Sequence, residues 1–307
     1  MMHSLTTARD RPTRLRTSRV LPYVVAGMAF AIIGLVPWLI TGMHLPLQNL
    51  WATDASGDRM PITLLPFSQY FLALLAAMVV IGAALAGGFA RATRARHPRF
   101  GVTAIAVGVV GVQAIATIQT AVTVSNGLRR TAVAHAYLAA VTAGTVVAML
   151  IGLLVLWLVA RAPVPGAVIG LSMAGIAAGS WLVGIVVPVG GVATETVAVL
   201  LGVVRPVPAV IVGLAVVWGG LGTIGRVAAG IGSLLLLWIG PAAVTAVSAA
   251  AGTRVLAPRP AEMVDYATQV FGLALGPEGG APYLLTVAVI VIILGVAARW
   301  SVRRWRR

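Results

Sequence analysis

A row of uncharged polar side chains lies within one long apolar segment, and these residue types could bind a substrate by hydrogen bonding. The row comprises Gln113, Thr117, Thr120 and Thr123, with Gln119 beside it. At about 100° per residue, the first four fall within one sector of a helix. Polar side chains of membrane helices face either a water-filled cavity or another helix. The row therefore predicts either a substrate path or a set of interhelical hydrogen bonds.

Two further residues belong to this candidate substrate path. His135 opens the fourth apolar run, where an imidazole could sense pH or bind a metal, although a plain interfacial position is commoner. Pro241 stands in the middle of the seventh run, where its ring removes a backbone hydrogen bond and clashes with the carbonyl of Leu237. Interrupted helices are typical of transporter binding sites, but a kink that only shapes packing fits as well.

A second group of chemistry-bearing residues follows the first apolar run, in the stretch WLITGMHLPLQNLWATDASGD from Trp38 to Asp58. Its imidazole and two carboxylates lack the spacing of a calcium loop, so we expect neither a metal nor a cofactor. Its amides need hydrogen-bond partners that a hydrocarbon core does not supply. We therefore predict a lip at the outer membrane surface, with Trp38 and Trp51 at the lipid interface. The residues assigned to the lip are His44, Gln48, Asn49, Asp54, Asp58 and Glu195.

The residue types that the chain lacks exclude several kinds of chemistry. Without cysteine it has no thiolate metal site, iron–sulfur cluster or cysteine nucleophile. Without lysine it has no Walker A loop and no protein-kinase fold, so any ATP hydrolysis requires a partner subunit. The dinucleotide-like spacing of Gly220, Gly222 and Gly225 is discarded, because no strand precedes it and it lies in an apolar run.

The composition indicates that membrane helices position these residues. Hydrophobic residues make up 60% of the 307 residues and charged residues only 9%, whereas a soluble domain carries about a quarter charged. The net charge of +15 lies at the ends of apolar runs and not on a solvated face with aromatic residues, so we expect no nucleic-acid partner. The predicted fold is an all-α, polytopic membrane helix bundle.

Eight apolar runs are long enough to cross a bilayer at about 20 residues each. With both termini inside, 16 of the 22 arginines fall in inner segments, as the arginine bias of cytoplasmic loops requires. We expect no charged residue deep inside a span, which argues against a proton-driven antiporter with a buried carboxylate. The predicted spans cover residues 21–42, 66–90, 101–125, 134–160, 166–188, 207–225, 227–251 and 283–299.

Each remaining segment is assigned to a tail or to the outer surface. Residues 1–20 and 300–307 form basic cytoplasmic tails that contact anionic lipid heads. The single membrane domain, residues 21–299, has outer interfacial segments at about 43–65, 189–206 and 252–282. The first of these contains the lip, the second is too short to cross and is re-entrant or interfacial, and the third contains an amphipathic helix from Pro260. The apolar face of that helix comprises Met263, Ala267, Val270, Phe271 and Ala274.

The fifth span carries two pairs of glycines on opposite faces. Gly166 and Gly170 form one pair, and Gly175 and Gly179 form the other. Small residues let helix backbones approach closely, so we predict a central helix with close neighbours on both sides.

These features favour a transporter or permease subunit of the bacterial cell membrane, without an ATPase of its own. The bilayer is its expected partner, together with a membrane or ATPase subunit. The first alternative is a non-catalytic membrane partner or scaffold, which the shortage of ionisable residues would fit. The second is an enzyme that acts on a lipid-linked substrate at the outer face, with Asp54 or Asp58 as base or metal ligand. No motif identifies a reaction, so an enzyme is the least favoured.

Overall fold

The fold is all-α in the parts of the chain that the computed structural model describes, which are residues 20–53, 59–96, 98–187, 191, 194–253 and 259–305. This confirms the predicted fold class as an all-helical bundle with helices suited to a membrane. In chain order the helices are α1 (Leu21–Gly34), α2 (Val36–Leu39), α3 (Leu72–Ala92), α4 (Gly101–Gly127), α5 (Ala132–Arg161), α6 (Val164–Val186), α7 (Glu195–Val204), α8 (Val207–Gly219), α9 (Ile224–Gly252), α10 (Pro260–Leu275) and α11 (Ala281–Trp305).

Seven helical segments are long and apolar enough to cross a membrane, which indicates a multi-pass membrane protein. They are Leu72–Ala92, Gly101–Gly127, Ala132–Arg161, Val164–Val186, Glu195–Gly219, Ile224–Gly252 and Ala281–Val302. The first predicted span is shorter, because α1 has 14 residues and α2 adds only four after Leu35. Pro37 contributes to this break, since it has no N–H with which to continue the helical hydrogen bonds. A count of eight spans stays a prediction.

The sixth span differs from its predicted bounds of 207–225. Gly220, with φ of +70°, follows the end of α8, and α9 begins four residues later. Helix α8 alone rises about 20 Å, which is too short for a hydrocarbon core of about 30 Å. Residues Glu195–Gly219 together have the length that is needed, and they include most of the segment that was assigned to the surface at 189–206.

Two prolines divide that sixth span into α7 and α8. Pro206 and Pro208 have no N–H, so the carbonyls of Gly202 and Val204 receive no helical hydrogen bond. Arg205, immediately before the first proline, keeps helical backbone angles and donates its N–H to the Leu201 carbonyl at 2.9 Å. The result is an interrupted helix with an arginine at the interruption.

The helices run back and forth between two ends of the bundle. At one end, the guanidinium of Arg91 donates to the carbonyls of Val159 and Ala162 at 2.8 and 3.1 Å. We name this the arginine end. At the other end lies the segment 43–70, of which residues 43–53 and 59–70 are described. We name this segment the cap and its side of the bundle the cap end; the sequence predicts that the cap end faces outward.

Helix α6 is a central helix with close neighbours on both faces, as predicted from its glycines. A Cβ at Gly170 would lie 2.9 Å from the Cβ of Leu158 on α5. On the opposite face, a Cβ at Gly179 would lie 2.9 Å from the Cγ of Pro208 on α8. Larger residues at either position would push a neighbouring helix away, so the glycines fix the spacing around α6.

Helix α10 confirms the predicted amphipathic helix. The residues of its predicted apolar face are each less exposed than the residues between them, and the helix packs against α9. The indole N–H of Trp238, in the middle of α9, donates to the Leu275 carbonyl at the end of α10 at 3.2 Å. Helix α10 therefore lies along α9, and its carboxyl end reaches the middle of α9. A position of α10 only at the membrane surface stays a prediction.

Candidate functional site

The predicted lip is a packed cap held by backbone hydrogen bonds. The N–H of Leu45 donates to the Pro61 carbonyl, and the N–H of Thr63 donates to the Met43 carbonyl, both at 2.9 Å. The indole of Trp38 donates to the Thr63 carbonyl at 2.7 Å and is fully buried. The expected lipid-facing position of Trp38 is therefore wrong: its single N–H is paired inside the protein, and its ring fills the core below the cap.

The residues of the α4 polar row that lie nearest the cap end bind the backbone of the cap. The Oε1 of Gln119 accepts from the Leu64 N–H at 2.9 Å, and its Nε2 donates to the Ile62 carbonyl at 3.1 Å. The hydroxyl of Thr120 accepts from the Leu65 N–H at 3.0 Å. Gln119 also donates to the Thr123 hydroxyl at 3.3 Å. These side chains take the place of a neighbouring strand for the extended backbone of the cap.

The deeper part of the row lies between helices. Gln113 is buried and its Nε2 donates to the Val79 carbonyl of α3 at 2.9 Å. Thr117 donates to the Gln113 carbonyl of its own helix at 2.7 Å. These contacts are the ones that the interhelical alternative requires. A substrate path along this row stays a prediction, and the row does not line the cavity described below.

The structure assigns different surroundings to the remaining predicted lip residues. The Nε2 of Gln48 donates to the Phe67 carbonyl at 2.8 Å, and its Oε1 accepts from the Tyr137 hydroxyl at 2.9 Å. The Nδ1 of His44 lies 3.0 Å from the Met60 carbonyl oxygen. Asn49 is exposed. Glu195 is exposed at the start of α7. Asp54 and Asp58 lie outside the described residues.

Metal-binding groups do not assemble in the described part of the chain. There, no three His, Cys, Asp or Glu side chains converge on a point that could hold an ion. His135 is exposed in the first turn of α5, and the cation site of His44 with Asp54 and Asp58 involves two residues that are not described. A role for His135 in a substrate path stays a prediction.

A cavity of about 640 Å³ lies in the cap-end half of the bundle, between α3, α6, α7, α8, α9 and α11. We name it the Pro241 cavity. It is lined by Pro241 and Thr245 of α9 and by Arg205 and Pro208 at the α7–α8 interruption. Pro241 is the residue of the predicted substrate path that reaches this cavity. The hydroxyl of Thr245 donates to the Pro241 carbonyl at 2.9 Å.

Arg205 is the functional candidate that the sequence prediction missed. It is exposed and lies about 21 Å of helical rise from Gly219, near the middle of the candidate span Glu195–Gly219. The expectation that no charge lies deep in a span is corrected accordingly. Arg205 falls in the segment 189–206, whose apolar run alone is too short to cross and therefore predicts a re-entrant or interfacial position. The signal that could have located it is the apolar stretch on both sides of RPVP, which is long enough to cross only when joined.

The guanidinium of Arg205 stacks on an aromatic ring. Its Cζ lies 4.7 Å from the ring centroid of Tyr283 on α11, a cation–π contact. Among the described residues no acceptor hydrogen-bonds this guanidinium, and none of those lining the cavity is an aspartate or glutamate. Glu195, about 15 Å away along α7, does not pair with it. Among its described lining residues, the cavity therefore carries one positive charge in a mainly apolar wall.

Comparison of the chain with protein-family models, with curated proteins and with solved structures found no match. The Pro241 cavity, which lies beside the α7–α8 interruption and the proline of α9 and is lined by Arg205, is therefore the basis for a functional assignment.

Proposed function

We propose that this protein is a transporter, or the permease subunit of one, and that its substrate binds in the Pro241 cavity. The observation that supports this best is the position of the cavity beside the α7–α8 interruption and beside Pro241, which lies inside the continuous helix α9. Interrupted membrane helices create polar backbone within the bilayer and let one part of a helix move relative to the other. The proposal includes a bacterial cell membrane, with both termini cytoplasmic.

In this proposal the cap-end part of α9 is the moving element. Pro241 cannot donate to the Leu237 carbonyl, so the helix bends there at low cost. The Thr245 hydroxyl donates to the Pro241 carbonyl one turn earlier, a contact that often accompanies a helix bend. Tilting of this part would open the cavity toward one side and close it toward the other. Without a Walker A lysine, ATP hydrolysis would come from a partner subunit.

The two alternatives have less support from the described residues. A scaffold would offer its cap to a partner, but the Gln48 amide is used inside the protein, by Phe67 and Tyr137. An enzyme would need acid–base or metal-binding groups near its substrate, and the described lining of the Pro241 cavity has neither a histidine nor a carboxylate. The enzyme alternative therefore depends on Asp54 and Asp58 alone.

Accessibility from both sides of the membrane tests the proposal. The chain has no native cysteine, so Ser180→Cys and Thr245→Cys place single thiols in the cavity wall. An impermeant maleimide should label both thiols in intact cells and also in inverted membrane vesicles, because a transporter exposes its site alternately. Leu47→Cys and Ala95→Cys, which are exposed at opposite ends, serve as markers that each label from one side. Labelling of the cavity thiols from a single side would contradict transport.

A further inference from the structure

We infer that the Pro241 cavity binds a single-chain amphiphile whose anionic head, a carboxylate or a phosphate ester, pairs with Arg205 and whose alkyl chain fills the apolar remainder. This inference rests on the proposed function, since it names the ligand class of the same cavity. It differs from the binding of lipid heads by the basic tails, because Arg205 is an exposed side chain that lines the cavity at the α7–α8 interruption.

The charge of the cavity determines the charge of the ligand that it can bind. Arginine stays protonated under all physiological conditions, and a cation within the hydrocarbon core is stable only with compensation from a partner or a water-filled space. Tyr283 offers the face of its ring, which attracts the guanidinium but leaves the N–H groups in the guanidinium plane available. Since no acidic side chain lies among the described lining residues, an anionic ligand is the group that matches this charge.

The helix ends at the interruption leave that charge unchanged. The carboxyl end of α7 and the amino end of α8 meet beside Arg205. A helix terminus carries about half a unit of charge, negative at the carboxyl end and positive at the amino end, so the two contributions largely cancel. The guanidinium therefore determines the sign of the ligand, and its planar set of N–H donors suits a carboxylate or phosphate.

The remainder of the wall determines the other part of the ligand. Its larger side chains are mainly aliphatic, and the hydroxyls of Ser180 and Thr245 add the neutral polar groups. A volume of about 640 Å³ lies within the range of small-molecule sites, about 300–1,000 Å³. The aliphatic side chains that line it include Leu74, Ile176, Val183, Val204, Val244 and Leu284. One charge at one side of an apolar space fits one anionic head with one alkyl chain.

Binding measurements on the purified protein in nanodiscs of zwitterionic lipid test this inference. The probe is a dansyl-labelled fatty acid, and empty nanodiscs correct for partition into lipid. Lauric acid and dodecyl phosphate should displace the probe, whereas dodecanol, which has the same chain without a charge, should need a concentration at least about tenfold higher. Comparison of the two anions identifies which head group is preferred.

Substitutions at Arg205 separate charge from packing. Arg205→Gln should weaken probe binding about tenfold or more, and Arg205→Lys should retain most of it. Dodecanol should bind the wild type and Arg205→Gln alike, which also shows that the variant is folded. Arg259→Gln removes an arginine that is exposed, paired with Glu262 and remote from the cavity lining, and should change nothing.

The outcomes distinguish the ligand class from the proposed function. Equal binding of lauric acid and dodecanol, both blocked by Thr245→Trp, would overturn the anionic head but retain the cavity as a binding site. Absence of saturable probe binding, or binding that neither Arg205→Gln nor Thr245→Trp reduces, would overturn the inference. Arg205-dependent binding together with labelling of the cavity thiols from one side only would support the ligand class and refute transport.

Discussion

Gln48 connects the cap to the helix bundle with one amide group. It donates to the Phe67 carbonyl of the cap and accepts from the Tyr137 hydroxyl of α5. The neighbouring residue, Asn49, carries the same amide one methylene shorter but is exposed. The two residues therefore form a matched pair for measuring what the cap contributes.

Gln48→Ala should lower stability, and Asn49→Ala should not. Loss of the Gln48 amide leaves the Phe67 carbonyl and the Tyr137 hydroxyl with their longer bond to each other at 3.3 Å. Two lost hydrogen bonds cost about 1–3 kcal/mol, whereas an exposed amide contributes within about 0.5 kcal/mol. Thermal unfolding of the two purified variants in the same detergent gives the comparison. Equal unfolding temperatures for the two variants would show that the cap is only an anchor for the first apolar stretch.

Residue types in the polar row predicted hydrogen bonding but not the partner. Glutamine and threonine in an apolar helix must pair with something, and this holds for Gln113, Gln119 and Thr120. The partners are the α3 backbone and the extended cap backbone. Gln113 and Thr120 are separated from their partners by 34 and 55 residues along the chain. The tertiary fold brings these residues together, so no local sequence pattern predicts the contacts.

The proline in α9 has a testable role at the level of the helix. Pro241→Ala restores the N–H that can donate to the Leu237 carbonyl, and alanine is favoured over proline by about 3 kcal/mol in a helix interior. We therefore expect unfolding temperature to stay the same or rise. If bending of α9 exposes the cavity, labelling of Thr245→Cys from the less exposed side should slow several-fold in the Pro241→Ala background.

A control at Thr245 is unnecessary in that comparison, because both proteins carry the same thiol. Unchanged labelling rates together with intact expression would remove Pro241 from the moving element and leave it a packing kink.

The length of an apolar run predicted the bounds of a helix where an arginine or a glycine stood at the end of the run. The sixth span is an exception. The run predicted at 101–125 appears as Gly101–Gly127, and that at 134–160 appears as Ala132–Arg161. At RPVP, two prolines, which normally end a helix, stand inside one candidate span. Neighbouring helices decide such a case: the close contact of Pro208 with Gly179 stabilises the junction by packing, which propensity does not describe.

The distribution of arginines over the whole molecule predicts which end of the bundle faces the cytoplasm. Leu47→Cys in the cap should react with an impermeant reagent in intact cells, and Ala95→Cys at the arginine end should react only after the membrane is opened. The physical reason is the retention of arginine-rich loops on the cytoplasmic side during insertion. Reaction of Ala95→Cys in intact cells would reverse the orientation.

The class of the whole molecule was predictable because composition alone sets it, and seven long apolar helices agree with it. The Pro241 cavity was not predictable, because six helices contribute to it and residues as distant as Leu74 and Leu284 share its wall. Periodicity within a single helix reports which face is polar. It does not report which faces meet.

The interruption at Arg205 also has a consequence for biosynthesis. When the segment from Glu195 to Gly219 leaves the ribosome, an arginine near its centre opposes transfer from the translocon into lipid by about 2.5–3.5 kcal/mol. The aliphatic residues of α7 and α8 favour transfer, but two prolines weaken the helix that must form first. We expect this segment to wait beside the translocon until α9 follows, and to enter the membrane together with α6 and α9. Its insertion efficiency as an isolated segment should then be lower than within the full chain.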